Sequence, residues 1–239
     1  MTPARQPVLQ TVALTAGYDE APVIEDVDVV VGRGEIVALL GSNGAGKTAL
    51  LSAILGLVAS TGIVLVDGRD VARLPPYRRA ALGMAWIPEQ PQVFPTLTVR
   101  DHVLLAWEMA GRPPGALEEV ARDIPLVGAM GDRPAAKLSG GQRKLVLAAA
   151  ALVQRARLLL ADDPFLGVDG DSTARLARAL ADVRSRGGSV LISGQGLDLL
   201  ASLASRAYLL VAGRIVAEGA PRYLLASREA RFLYGRGSS

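Results

Sequence analysis

Eight residues, Gly41-Ser42-Asn43-Gly44-Ala45-Gly46-Lys47-Thr48, constrain this chain more than any other stretch. They match the phosphate-loop pattern G-x-x-x-x-G-K-[ST] in full. Residues 35–40 before them form an apolar run of strand length, and residues 48–55 after them follow an apolar helical pattern. Strand, glycine loop and helix is the order that anion binding needs. Glycines let backbone N–H groups turn inward without a Cβ in the way, and the helix N-terminus adds unpaired N–H groups and a favourable dipole. In this pattern Lys47 reaches the β- and γ-phosphates, and the Thr48 hydroxyl ligates Mg²⁺.

A loop of this kind needs a sheet and helices behind it. The 239 residues suit one α/β domain, or one with a small inserted lobe. Half of them are hydrophobic but only 4% aromatic, so the core must be built from Ala, Leu and Val. The net charge is +3, and Lys47, Lys137 and Lys144 are the only lysines among 26 basic residues. A small excess spread along the chain describes a solvated arginine-rich surface and predicts no nucleic-acid partner. The absence of cysteine excludes thiol chemistry and thiolate metal sites, and a single histidine, His102, excludes a histidine cluster. No apolar run approaches the roughly 18 residues of a spanning helix, and the first six residues lack a signal-peptide core. The expectation is a soluble, cytoplasmic chain that meets a membrane only by docking onto another protein.

In chain order, residues 8–14 and 23–31 read as strands, with Tyr18 between them as either a base-stacking aromatic or a turn tyrosine. Further strands are expected at 63–66 and 84–87, with a basic helical stretch from Pro75 between them. Residues 98–109 read as a helix opened by Thr98 and Asp101. Residues 117–126 permit another short helix, and His102 reads as an ordinary helix residue. Leu138-Ser139-Gly140-Gly141-Gln142 opens a long helix over 142–154, a second helix N-terminus able to hold an anion. A buried strand at 157–161 ends in Asp162-Asp163-Pro164, acidic residues at the rim of a parallel sheet. A turn at 167–170, a helix at 172–184, a strand at 190–193, a helix at 197–204, a strand at 207–211, a hairpin at 213–216 and a helical tail at 221–234 complete the reading.

Four segments now stand in one order: 41–48, Glu89, 138–142 and 158–163. This order resembles the nucleotide-binding subunit of ABC transporters over nearly the whole chain, with Leu-Ser-Gly-Gly-Gln as the family signature. The resemblance implies an α/β fold: a phosphate-loop NTPase (RecA-like) core with an antiparallel β subdomain and a small inserted helical subdomain. It implies a single ATP-binding domain, 1–239, with 1–88 and 138–239 as core and 89–137 as helical insertion. ATP and Mg²⁺ are the implied cofactors. Gly41, Ser42, Asn43, Gly44, Ala45, Gly46, Lys47 and Thr48 correspond to Walker A, and Tyr18 to the adenine-stacking aromatic. Asp162 corresponds to the Walker B carboxylate beside Mg²⁺, which Thr48 and Glu89 also approach. Asp169 matches the acidic residue of the loop after Walker B. The family pattern implies a head-to-tail dimer in which Ser139, Gly140, Gly141 and Gln142 of one cassette close over ATP bound by the other. A second ATPase subunit, transmembrane permease subunits and a solute-binding protein are the implied partners.

Three positions depart from the common family pattern. Asp163 stands where a glutamate polarises the attacking water, and is shorter by about 1.5 Å. A displacement of that size can cost on the order of 10²-fold in rate. Gln195 stands in place of the switch histidine, and Glu89 in place of a glutamine. The chain's own Walker site is therefore expected to hydrolyse slowly, within a heterodimer or alternatively a homodimer. Gln195 and residues 88–99 look like the second ATPase subunit of branched-chain amino-acid importers, the expected function. Residues 163–169 and Arg206-Ala207-Tyr208 look more like the lipopolysaccharide-export ATPase, the alternative. A non-transport cassette and a regulator that never hydrolyses are further alternatives.

Overall fold

The computed structural model describes residues 7–18, 21–111, 115–194 and 197–226. Two sheets form the body. The first is antiparallel and runs β2 (Ala21–Val27), β1 (Leu9–Tyr18), β5 (Ser60–Val66), β6 (Arg69–Asp70), with β3 (Val30–Val31) pairing β1. The second runs β11 (Arg214–Gly219), β10 (Arg206–Val211), β4 (Ile36–Leu40), β9 (Ser189–Ser193), β8 (Leu158–Asp162), β7 (Met84–Ile87). Within it β10, β4, β9, β8 and β7 are parallel, and β11 closes one edge as an antiparallel hairpin.

Every residue of β4, β8 and β9 is buried, as expected for parallel strands covered on both faces. Their side chains alternate between two cores. Val37, Leu39, Leu158, Leu160 and Leu191 join the core shared with the antiparallel sheet and α1 (Lys47–Leu55). Ala38, Leu159, Ala161, Val190 and Ile192 join the opposite core, beneath α6 (Gly140–Leu152) and α7 (Gly170–Ser185). Alternation of small aliphatic residues thus replaces aromatic bulk on both faces of the central sheet.

Between β7 and α6 the chain leaves the sheet as α3 (Val99–Met109), α4 (Ala116–Asp123), α5 (Leu126–Ala129) and a 3₁₀ turn, Ala135–Lys137. With α2 (Pro76–Ala81), α8 (Leu197–Leu203) and α9 (Pro221–Ala226) these complete the helices of the described residues.

Several boundaries differ from the sequence expectation. Residues 23–31 form two strands, β2 and β3, and Asp26 at the end of β2 has φ +52°. Residues 117–126 become two helices because Ile124 leaves helical geometry before Pro125, as a residue preceding proline tends to do. The helix after the signature starts two residues earlier than expected, with Ser139 as its N-cap and Gln142 reaching back in a capping box. Asp169, read as a loop acid, N-caps α7 by accepting from the Ser172 amide at 3.0 Å. His102 is not an ordinary helix residue. It is buried, its Nδ1 lies 2.7 Å from the Thr98 carbonyl oxygen, and its Nε2 accepts from the Phe94 amide at 2.9 Å. Neutral His102 with the proton on Nδ1 satisfies both contacts, and the ring pins the 94–98 loop to α3. The tail expectation beyond residue 226 lies outside the described residues.

Candidate active site

The site is built at the carboxyl ends of β4, β9 and β8, three neighbouring parallel strands. Such strand ends form the crevice where open α/β sheets bind ligands. β4 delivers the glycine loop and α1 leaves from it at Lys47. Gly46 has φ +105°, and a Cβ there would stand 2.7 Å from Ile24 Cγ2, so both conformation and space require glycine. The antiparallel hairpin braces the loop, because the Gly213 amide donates to the Ala45 carbonyl at 3.0 Å.

The Lys47 ammonium folds over its own loop, donating to the carbonyls of Gly41 at 2.8 Å and Ser42 at 3.0 Å. Burial lowers its pKa from the ordinary lysine value, while Asp163, Asp162 and Glu89 pull it back up. One cation therefore faces three carboxyl groups from two segments, the end of β8 and the Glu89 loop. Thr48, the next residue, points its hydroxyl at Glu89 Oε2, 3.3 Å away. That is long for an O–H···O bond, so the two oxygens are held close but loosely.

β8 ends in Asp162, which is 1% exposed. Ser193, at the end of neighbouring β9, donates its hydroxyl to Asp162 Oδ1 at 2.5 Å. Asp162 Oδ2 is buried and has no hydrogen-bond partner among the described residues. A buried, unpartnered carboxylate oxygen is costly unless something positive meets it. With the Thr48 hydroxyl and the Glu89 carboxyl nearby, the donors are hard oxygens, which fit Mg²⁺. Asp163 then turns the chain with φ +40°, its amide donating to the Ser193 carbonyl at 3.1 Å.

A cavity of about 260 Å³ collects these groups, lined by Tyr18, Asn43, residues 46–49, Glu89, Asp162 and Asp163 among others. Tyr18 is 52% exposed, with its ring open to a partner. Walker A, Walker B, the Glu89 loop and the aromatic, far apart in sequence, thus meet in one place. Ser139, Gly140, Gly141 and Gln142 do not line this cavity. Gln195 lies outside the described residues. A larger groove of about 470 Å³ adjoins it, sharing Thr48, Glu89 and Asp162 and continuing past Trp86, Gln92 and Gln154.

Two residues of the site were not anticipated from the sequence. Ser193 orients Asp162, and nothing in a strand-end serine announces that. Lys144 is buried with its ammonium on the Asp163 carbonyl oxygen at 2.8 Å. Its one signal was scarcity: of three lysines, two end beside the same carboxylates.

Comparison with known proteins agrees with this geometry. The family model described as ABC transporter matches residues 24–166, more than half of the chain. The chain is 34% identical over 233 residues to the lipopolysaccharide export system ATP-binding protein LptB of Acidithiobacillus ferridurans, covering 95% of this chain and 96% of that protein. It is 35% identical over 231 residues to a probable ABC transporter ATP-binding protein of Azorhizobium caulinodans, covering 95% and 82%. Among solved structures, an ATP binding subunit of an ABC transporter superposes with a TM-score of 0.83 at 29% identity, covering 97% of this chain and 95% of that one. Of these relatives, the one with a named transport role serves lipopolysaccharide export, and the expected likeness to branched-chain amino-acid importers gains no support from them. The phosphate-loop α/β fold, the gathered cavity and these likenesses establish that the chain belongs to the ABC transporter family as an ATP-binding subunit, an ATPase that works with ATP and Mg²⁺.

Proposed function

We propose that this cassette powers an exporter of the lipopolysaccharide type, binding ATP between Tyr18 and residues 41–48 of its own chain and the Ser139, Gly140, Gly141 and Gln142 segment of a second cassette. The observation that carries the ATP-binding part is the 260 Å³ cavity joining Tyr18, Lys47, Thr48, Glu89, Asp162 and Asp163. Thr48, Asp162 and Glu89 would hold Mg²⁺, which supplies charge neutralisation at the phosphates. Lys47 binds the phosphates, Asp163 polarises the attacking water, and Gln195 hydrogen-bonds the γ-phosphate. The signature segment, capped by Ser139 and Gln142, offers its helix N-terminus to the nucleotide of the other cassette.

The two-part domain reading, with 1–88 and 138–239 as core and 89–137 as insertion, fits this arrangement. The groove of about 470 Å³ shares Thr48, Glu89 and Asp162 with the nucleotide cavity, so a permease segment seated there would feel changes at the nucleotide. That docking is how a chain whose described helices are all too short or polar to cross a membrane would act at one. The export reading is supported by the relatives of lipopolysaccharide export and by residues 163–169 and 206–208. Gln195 and residues 88–99 favour amino-acid import as the second reading.

Depletion of the chain in its source organism tests the choice. Export predicts envelope lipid held at the inner membrane, with unchanged uptake of branched-chain amino acids. Lost uptake with normal envelope lipid would replace the export reading with the import one. Purified chain assembled with its partner cassette and permease should hydrolyse ATP, and Lys47→Ala should abolish hydrolysis at the site built on this chain's own Walker motifs.

A further inference from the structure

Lys144 belongs to neither the phosphate loop nor the Asp162–Asp163 strand end, yet it is only 3% exposed. It lies five residues beyond the N-cap Ser139, about 7.5 Å along α6. Its ammonium donates to the main-chain carbonyl of Asp163 at 2.8 Å. That carbonyl also accepts from the Leu166 amide at 3.2 Å, closing the turn that follows β8. Asp163 itself has φ +40°, a left-handed conformation that a non-glycine residue keeps only when its surroundings enforce it.

The same helix touches the other end of that turn. A Cβ on Gly141 would stand 2.3 Å from the Gly167 carbonyl oxygen, so the first turn of α6 lies directly against the main chain of Gly167. The start of the signature helix therefore grips residues 163–167 at both ends, by packing at Gly141 and by a charge-assisted hydrogen bond at Lys144. Burial lowers the Lys144 pKa from the ordinary lysine value, while Asp163, Glu89 and Asp162 pull it back up. These are the carboxyl groups that also face Lys47.

We propose that Lys144 is a positioning residue for ATP hydrolysis: it holds the Asp163 backbone in its left-handed turn, so that the carboxyl group faces the nucleotide cavity, and ties that geometry to the signature helix. The proposal rests on the reading of Asp163 as the water-polarising group. In a head-to-tail pair, α6 begins on the nucleotide of one site and Lys144 ends on the main chain of Asp163, whose carboxyl group serves the other. A shift of the helix at one nucleotide is thus felt at the group that acts on the other.

The test uses the full-length chain and Mg·ATP. Single-turnover hydrolysis, calorimetric ATP affinity and hydrogen exchange over residues 163–167 are compared in wild type, K144M, K144R, D163N and K144M/D163N. Methionine keeps the apolar stem and removes the donor, whereas arginine keeps a donor. Expected are a K144M affinity within about threefold of wild type, a rate at least about tenfold lower, and faster exchange across the turn. K144R should recover most of the rate, and the double variant should be no slower than D163N. A wild-type rate and unchanged exchange in K144M would overturn the proposal. So would a K144R variant as impaired as K144M with an equal loss of melting temperature, since the residue would then merely fill space. A D163N variant at the wild-type rate removes the reading of Asp163. A slow D163N beside a fast K144M removes only the role of Lys144.

Discussion

Ser193 donates its hydroxyl to one carboxylate oxygen of Asp162, while the other oxygen, Oδ2, is buried without a partner among the described residues. β9 thus fixes the carboxylate and leaves one oxygen for a cation. Mg·ADP should therefore raise the melting midpoint more than ADP with EDTA. Ligand at 100 times its Kd adds about 2.7 kcal/mol. Asp162→Asn should erase the Mg²⁺-dependent increment, and Ser193→Ala should weaken Mg²⁺-dependent nucleotide binding by about tenfold, as loss of an orienting partner does. Scanning fluorimetry with and without Mg²⁺ checks both. Equal shifts in the two conditions would remove Asp162 from the metal site.

The Asp163 carboxylate packs against the end of β9, where a Cβ on Gly194 would stand 3.3 Å from Oδ1. Space on that side is tight. Asp163→Glu lengthens the side chain by about 1.5 Å and should raise the single-turnover rate by at least about tenfold. Asp163→Asn should lower it, because the amide cannot accept the proton of the attacking water. Gly194→Ala should press on the carboxylate and slow hydrolysis while ATP affinity holds. Rapid-quench kinetics with calorimetry separates rate from binding. A glutamate variant no faster than wild type would show that carboxylate reach does not limit the reaction.

Lys47 carries the pH dependence of binding. Burial depresses its pKa below the ordinary 10.5 in the free cassette, against the pull of Asp163, Asp162 and Glu89. A bound phosphate favours the charged ammonium and raises the pKa again. Binding thus takes up a proton at alkaline pH. Affinity is complete below the depressed pKa and falls, by up to about tenfold per pH unit, as pH rises through it toward the pKa of the bound state. Calorimetry at rising pH, repeated in buffers of different ionisation enthalpy, should show this uptake. Lys47→Ala should bind weakly and without that slope.

How much of this was legible in the sequence depends on how local each cause is. The glycine loop and the Thr98 and Asp101 capping box are set by neighbours in the chain, and the sequence placed both. The gathering of Tyr18, Lys47, Glu89, Asp162 and Asp163 followed from motif order, because each motif brings its own strand end or loop. Ser193 and Lys144 were missed because their partners lie 31 and 19 residues away and are fixed by sheet order and helix packing, not by any local pattern. His102 was misread for a different reason. Its partners, Phe94 and Thr98, are close in sequence, but one is a main-chain amide and the other a carbonyl, and main-chain groups leave no mark in residue identity.

Arg79 shows the same blindness in the scaffold. In sequence it reads as one more charge in a basic helical stretch. In the structure it is 2% exposed, and its guanidinium donates to four main-chain carbonyls: Leu74 at 2.9 Å, Ala72 at 2.8 Å, Ala53 at 2.9 Å and Ile54 at 2.7 Å. Ala53 and Ile54 end α1, so the helix that starts at the phosphate loop has a cation at its opposite, negative pole. Arg79→Met should leave these carbonyls buried without the donor and cost about 3 kcal/mol or more. Arg79→Lys keeps the charge but loses the planar fork, so it should recover only part of that loss. Gly56→Ala should destabilise as well, since φ is +77° and the new Cβ would stand 2.7 Å from Arg79 Cζ. Urea unfolding measures each as a shift of midpoint at constant slope. An Arg79→Met variant within about 0.5 kcal/mol of wild type, the range of ordinary surface substitutions, would mean that other groups cap α1 as well as Arg79 does.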